Sequence, residues 1–340
     1  MTSRELVYQT LAFENAGRAP RQVWLLPWAS QNHPAETAYL AQEYENDIVT
    51  ANGHWAAFPP TVGDPYEPGE ARDEWGCHFV NIQRGLYGEV RKPLIADDDW
   101  ADAANVRFPE EWLTINPEKI NLDCKNSDKF IHAGCNPRPF ERLQFLRTSE
   151  LLYMDIADPP KKMMAFIEKL HDFYCRLVTA WAQTDVDAIS FMDDWGSQTS
   201  LLINPKTWAE IFKPLYKDYI DIAHKHGKKA FMHSDGNTLA ILPHLIELGL
   251  DAFNTQLFCM DMEQLARYKG QITFWGEIDR QYLLPFGTVD EVRQAVRTVH
   301  SHLWQNGGCI AQCEFGAGGK PENVLAVFDE WNKLTGAEML

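Results

Sequence analysis

The sequence is short of positive charge, of long apolar runs and of cysteine. Lys and Arg total 31 against 48 Asp and Glu in 340 residues, a formal net charge of −17 with His neutral. So acidic a surface argues against sequence-independent binding to DNA, RNA or anionic membrane, which all depend on an excess of Lys and Arg. The same field opposes the approach of a polyanionic substrate. No stretch approaches the ~20 apolar residues that span a bilayer. The opening MTSRELVYQT is polar and charged where a secretory signal would be apolar. Seven dispersed cysteines (Cys77, Cys124, Cys135, Cys175, Cys259, Cys309 and Cys313) do not suggest a disulfide framework, and a reduced, cytoplasmic protein is expected. Apolar residues at 45% and charged residues at 23% are ordinary for a folded chain and exclude a largely disordered one.

What is present is a rhythm of short β-type and long helix-type runs. QVWLL (22–26) follows a helical pattern over Arg4–Asn15, and Asp47–Thr50 is a weaker strand candidate. From about residue 118 the strand candidates are 129–135, 187–194, 228–233, 250–256, 271–277 and 309–313. Helical patterns run over Pro159–Gln183, Pro205–His226, Asn237–Leu248, Met262–Lys269, Thr288–Asn306 and Pro321–Leu334, several stopping at glycine. Strands separated by such helices imply right-handed βαβ units and a parallel sheet. About eight strands close a TIM (β/α)8 barrel, so residues 1–340 read as a single barrel domain. The Pro-, Gly- and Trp-rich segment 52–117 breaks the rhythm and contains hairpin-like sequence at 76–94. It is read as an N-terminal insertion covering one end of the barrel.

Active sites of such barrels lie at the C-terminal ends of the strands. Those ends carry Asp193 and Asp194, His233 and Asp235, Gln256, Glu277 and Cys313. His233 and Asp235, two apart in an extended segment, project to the same side, and Cys313 can approach from the last strand. A thiolate, an imidazole and carboxylates make a zinc set with an open position. The plainer alternative is a hydrogen-bonded rim histidine and a small buried thiol. Cys309 lies about 13 Å along the strand from Cys313, too far for a disulfide or a shared metal. Asp193, Asp194 and Glu277 are the candidate acid–base or substrate-orienting groups. Trp24, Trp28, Trp195, Trp275 and Gln256 are candidates for lining a substrate pocket.

The motifs HSDGN (233–237), FWGEID (274–279), LPFGTVDEV (284–292), GGC (307–309), PENVLAVFDEW (321–331) and FMDDWG (191–196) together resemble the uroporphyrinogen decarboxylase superfamily, continuously from about Asp158 to Trp331. The resemblance implies a TIM barrel and separates two branches. The decarboxylases carry an RQAGR-like arginine motif after the first strand. Here its two arginine positions are Pro27 and Gln31, and their catalytic FSDIL-like aspartate has only a weak echo at Asp47-Ile48-Val49. The position of a decarboxylase histidine, ten residues before Asn323, is Cys313. The zinc methyltransferases use an H-x-C pair plus a cysteine before the final helix. His233 and Cys313 match that set, with Asp235 in place of the middle cysteine. The resemblance therefore implies a metal-dependent, zinc-type methyltransferase or demethylase for a small methylated compound. The methyl group would pass to or from a thiol or a corrinoid carried by a separate partner protein, and the enzyme would be a homodimer. Metal-free tetrapyrrole decarboxylation is the alternative.

Overall fold

The computed structural model describes residues 1–14 and 17–336. Eleven strands occur among them: β1 (Arg21–Leu25), β2 (Ile48–Thr50), β3 (Gly69–Arg72), β4 (His78–Asn81), β5 (Glu89–Lys92), β6 (Phe130–His132), β7 (Ala188–Met192), β8 (Lys229–Ser234), β9 (Ala252–Thr255), β10 (Thr273–Trp275) and β11 (Cys309–Phe315). Eight form a sheet in the order β1-β11-β10-β9-β8-β7-β6-β2, with parallel pairings, helices intervening between successive strands over most of the chain. This is the expected TIM-barrel architecture. The seam between β1 and β2 is bridged by the residues just before β2. The Asp47 N–H donates to the Arg21 carbonyl at 2.9 Å, and Asn46 Oδ1 accepts from the Val23 N–H at 2.7 Å. The buried Asp47 carboxylate is neutralised by Arg18 at 2.6 Å.

Strand alternation divides the side chains between two cores. Ile48, Phe130, Ala188, Phe231, Ala252, Trp275 and Ile310 point into the barrel, where Val7 and Leu11 of the first helix join them. That helix, Ser3–Leu11, is started by a capping box between Thr2 and Glu5, and its apolar face plugs the barrel interior. The expected helix end at Asn15 lies outside the described residues. The opposite strand faces, including Val23, Ile189, Phe191, Met232, Phe253, Phe274, Ala311 and Cys313, pack under the surrounding helices.

Three expected helices are shorter than their patterns. The 205–226 run divides at Phe212 into Pro205–Ile211 and Lys213–Lys225. Pro214 lacks an N–H to continue the first helix and suits the first turn of the second. Over 237–248 the helix is confined to Leu242–Glu247, because Asn237 is committed to the loop, its amide donating to the Cys259 carbonyl at 2.9 Å. The 262–269 run is an α-turn, Met262–Leu265, followed by a 3-10 turn, Ala266–Tyr268.

Segment 52–117 contains the antiparallel sheet β3-β4-β5. Two buried arginines of the helix Pro139–Arg147 tie it down. Arg142 pairs with Asp73 at 2.5 Å and stacks over Trp75, while Arg147 donates to the Ile95 and Asp97 carbonyls, each at 3.0 Å. At Gly85, a Cβ would stand 2.8 Å from the Trp28 Cα, so the tip of this segment lies directly on the short helix Pro27–Asn32 that follows β1.

Candidate active site

Asp194, His233 and Asp235 meet at the C-terminal ends of β7 and β8. Their ligand-capable atoms all lie within 4.8 Å of one another. His233 Nε2 stands 3.4 Å from Asp194 Oδ1 and 3.5 Å from Asp235 Oδ1. On its other side, Nδ1 lies 2.6 Å from Asn254 Oδ1. Since that oxygen only accepts, Nδ1 carries the proton, and Nε2 is the atom left to face the carboxylates. Burial by itself would lower the His233 pKa, but the Asp194 hydrogen bond and the Asp235 and Asp194 charges outweigh it and raise it to about 10. Burial likewise works against ionised Asp194, yet the hydrogen bond to His233 and its charge bring the carboxyl below its ordinary range.

The loops here approach so closely that two glycines are required. A Cβ on Gly236, where φ is +75°, would sit 2.2 Å from the Gly196 carbonyl oxygen, and one on Gly196 would sit 2.3 Å from the Asn237 nitrogen. The Asp235 N–H donates to Asp194 Oδ1 at 3.0 Å, and the Gly196 N–H donates to the Asp235 carbonyl at 3.0 Å. Together these contacts fix the two aspartates on either side of the imidazole.

Arg280 organises a second ring of charge. Its guanidinium contacts Asp235 and Glu314, and its Nε is 3.1 Å from Glu277 Oε1. The Glu277 carboxyl is only 2% exposed, and neither oxygen has a hydrogen-bond partner among the described residues. Burial pushes its pKa up to about 8, with Arg280 opposing and Asp235 and Glu314 reinforcing the rise. Asp235 Oδ1 is also buried without a hydrogen-bond partner among the described residues, so one oxygen of that carboxylate remains for a ligand.

Below His233 the barrel opens into a cavity of about 370 Å³ lined by Gln22, Trp24, His132, Ser190, Trp275 and Glu314, among others. The Trp24 ring centroid is 5.4 Å from those of both His233 and Trp275. Trp275 Nε1 donates to Gln22 Oε1 at 2.7 Å, fixing the indole as a wall. His132, buried and bonded through Nδ1 to Ser190 Oγ at 2.8 Å, is driven by burial to a pKa of about 3 and is neutral. A second cavity of about 320 Å³ lies against the insertion, with Trp55, Tyr87, Trp112, Arg138, Tyr174 and Trp181 in its wall. The two share Gly134, Cys135 and Asn136.

Several expected site residues lie elsewhere. Cys313 is fully buried on the outward face of β11, with Val23 and Ala311 in the helix-packed core; its neighbour Glu314 takes the inward position. It therefore does not join His233 and Asp235, and Asp194 completes their group. Asp193 also points outward. Its carboxylate accepts the Phe140 and Glu141 N–H groups at 3.0 and 2.6 Å and the Tyr216 hydroxyl at 2.6 Å, capping the helix Pro139–Arg147 from a distance. Trp195 is a core residue, stacked on Phe140 with centroids 4.0 Å apart. Trp28 packs beside His33 at 5.5 Å rather than lining the large cavity. Gln256 accepts the Gly236 N–H at 3.0 Å and, like Glu277 and Arg280, borders a small recess of about 40 Å³.

Arg280, Glu314, Asn254, His132 and Ser190 were not anticipated as site residues. For Glu314 a signal existed: Gln312 and Glu314 share a parity in CIAQCEF, so the polar pair marks the inward face and the cysteines the outward one. Arg280 carries no comparable signal, because it reaches the site from the loop after β10.

A parallel barrel with a histidine–carboxylate group above an aromatic-walled cavity defines an enzyme-type site of the TIM-barrel class. The chain belongs to the uroporphyrinogen decarboxylase family: the model described as "Uroporphyrinogen decarboxylase (URO-D)" matches residues 139–334. No curated protein matches the sequence. Among solved structures, the chain is similar to a methyltransferase from Methanosarcina mazei, with 14% identity, a TM-score of 0.68, and coverage of 98% of this chain and 99% of that one. More distant similarities are to a D-psicose 3-epimerase (12% identity, 67% and 84% coverage, TM-score 0.38) and to the xylanase XynB from Paenibacillus barcinonensis (7% identity, 93% and 86% coverage, TM-score 0.39). Among the described residues, no helix is long and apolar enough to cross a membrane.

Proposed function

We propose that the protein is a metal-dependent methyltransferase or demethylase acting on a small methylated compound, with the metal held by Asp194, His233 and Asp235. The observation that carries this reading is the convergence of these three side chains at the barrel mouth, with a buried Asp235 oxygen that lacks a hydrogen-bond partner among the described residues. The full-length structural likeness to a methyltransferase supports the reaction class. One nitrogen and two carboxylates form a harder donor set than the thiolate-containing one expected from the sequence, but zinc accepts them. When bound, the metal would supply a Lewis acid that activates a thiol or polarises the heteroatom bearing the methyl group.

The protein's own groups prepare that chemistry. Asn254 holds the His233 proton on Nδ1 and presents Nε2. Arg280 restrains Asp235 and balances Glu277 and Glu314, limiting repulsion within the acidic mouth. Trp24 and Trp275 form apolar walls against which a methyl-bearing group can pack. A corrinoid on a separate protein, or a small thiol, is the proposed methyl carrier. Metal analysis and calorimetric zinc titration test the site: wild type should approach one bound metal attributable to these ligands, and His233→Ala should lose it. Sub-stoichiometric metal in wild type that does not increase with added zinc would overturn the zinc assignment. Conversion of uroporphyrinogen to coproporphyrinogen by metal-free protein under anaerobic conditions would instead establish the decarboxylase reading.

A further inference from the structure

The structure brings together a second group of metal-ligating atoms in the outer helix layer. His171 and Cys175 belong to the helix Lys161–Ala182 and Asp218 to the helix Lys213–Lys225. His171 and Cys175 are separated by four residues, which puts them on the same helix face one turn apart. Their ligand-capable atoms and that of Asp218 all lie within 4.8 Å of one another.

The detailed geometry separates a chelating group from a catalytic relay. Cys175 Sγ is 3.6 Å from His171 Nε2, closer than the 3.8 Å to Nδ1. Asp218 Oδ2 is 2.9 Å from the same Nε2. In a Cys–His–Asp relay the thiol and the carboxylate would engage opposite ring nitrogens. Here the carboxylate engages Nε2 and the sulfur lies about equally near both nitrogens, so neither ring edge is set between thiol and carboxylate. With a Zn–S bond of about 2.3 Å and a Zn–N bond of about 2.0–2.1 Å, tetrahedral ligands place sulfur and nitrogen ~3.6 Å apart, and ligand oxygen and nitrogen ~3.3 Å apart. The observed sulfur–nitrogen separation is of that size, but the sulfur lies over the ring and the Cys175 side chain must swing toward the Nε2 lone pair, while the carboxylate withdraws by ~0.4 Å. On the other ring edge, Nδ1 lies 3.2 Å from the hydroxyl of Tyr219, which is fully buried and can accept a hydrogen bond from Nδ1–H, leaving Nε2 for the metal.

We propose that His171, Cys175 and Asp218 form a second site for a zinc-class divalent ion, distinct from the mouth and completed by solvent at the fourth position. Binding displaces the Cys175 thiol proton to water, shifts the His171 proton from Nε2 to Nδ1 beside the Tyr219 hydroxyl, and replaces the His171–Asp218 hydrogen bond with two bonds to the ion. The ion would clamp the two helices. One of them carries Tyr216, which holds Asp193, so the clamp supports the scaffold beneath the mouth without touching substrate.

Cobalt substitution tests this independently of the proposed reaction, because the mouth group contains no sulfur. Titrating metal-stripped full-length protein with Co2+ should produce a thiolate-to-cobalt charge-transfer band in the near ultraviolet. That band should persist in His233→Ala and disappear in Cys175→Ser and His171→Ala. As a second readout, zinc should raise Tm in His233→Ala but by substantially less in Cys175→Ser and in Asp218→Asn. Absence of the band in wild type, its persistence in Cys175→Ser, or its loss in His233→Ala would each overturn the proposal.

Discussion

His233 stands between two carboxylates with its proton assigned by a third polar group, whereas Cys313 is buried in the helix-packed core on the far side of its strand. The roles of these two residues therefore separate under substitution. On the proposed metal site, removing the imidazole as His233→Ala should reduce zinc affinity at the mouth by at least tenfold, as loss of a proposed ligand requires. Cys313→Ser should leave mouth metal affinity and methyl transfer unchanged. Its cost should instead appear as ~1–3 kcal/mol of stability, because a hydroxyl replaces a thiol in a site with no evident partner. Zinc calorimetry and urea denaturation measure the two effects separately. Weaker mouth metal binding in folded Cys313→Ser would contradict the outward placement of the thiol.

At the scale of elements, the loop after β7 performs two tasks with adjacent aspartates. Asp194 turns inward to His233, while Asp193 turns outward to the N-terminus of the helix Pro139–Arg147, whose own preceding residue, Arg138, provides no side-chain cap. Asp193 thus couples β7, that helix and Tyr216. Tyr216→Phe removes two buried hydrogen bonds, the one the hydroxyl donates to Asp193 and the one it accepts from Trp195 Nε1 at 2.8 Å, and should cost ~1.5–3 kcal/mol. Asp193→Asn should cost at least as much, because an amide has one acceptor oxygen and its NH2 group would face donors among the two helix N–H groups and the Tyr216 hydroxyl. Urea denaturation gives both values. Neither substitution should alter the metal stoichiometry of the folded protein, and a selective loss of mouth metal in either would show that Asp193 acts at the mouth.

At the scale of the whole molecule, buried His233, whose raised pKa makes stability fall as pH rises above about 6.5, is joined by two further buried groups in shaping the pH dependence of stability. Glu277 loses its proton near 4.5 when unfolded but near 8 when folded, because of burial. Between those values the folded state holds the additional proton, so stability falls as pH rises through that window. His132 has the opposite sign: its pKa goes from 6.5 to about 3 on burial, so the unfolded state takes up the proton first and stability falls as pH drops through that window. Where the windows overlap, the two slopes cancel. In metal-free protein, Glu277→Gln should reduce the decline between pH ~6.5 and 8, leaving the part due to His233, and His132→Gln should reduce the decline below pH ~4.5. Denaturant titrations across pH test this, and unchanged slopes in both variants would contradict the inferred burial effects.

The sequence by itself determined the barrel, because strand and helix periodicities, glycine stops and the polar strand ends are local patterns repeated along the chain. It also located the mouth segments containing Asp194, His233, Asp235 and Glu277. Only the tertiary structure decided which residues of those segments meet. In β11 a shift of one position exchanges Cys313 for Glu314, since adjacent side chains leave a strand on opposite faces. In the loop after β7 the same rule divides Asp193 from Asp194. Arg280 comes from an irregular loop with no period to extrapolate, and the protonation of Glu277 depends on burial supplied by residues distant in sequence. The acidic excess first noted as a net charge is consequently organised at the mouth: Asp235, Glu277 and Glu314 gather around one arginine, and Asp194 and Asp235 flank one histidine.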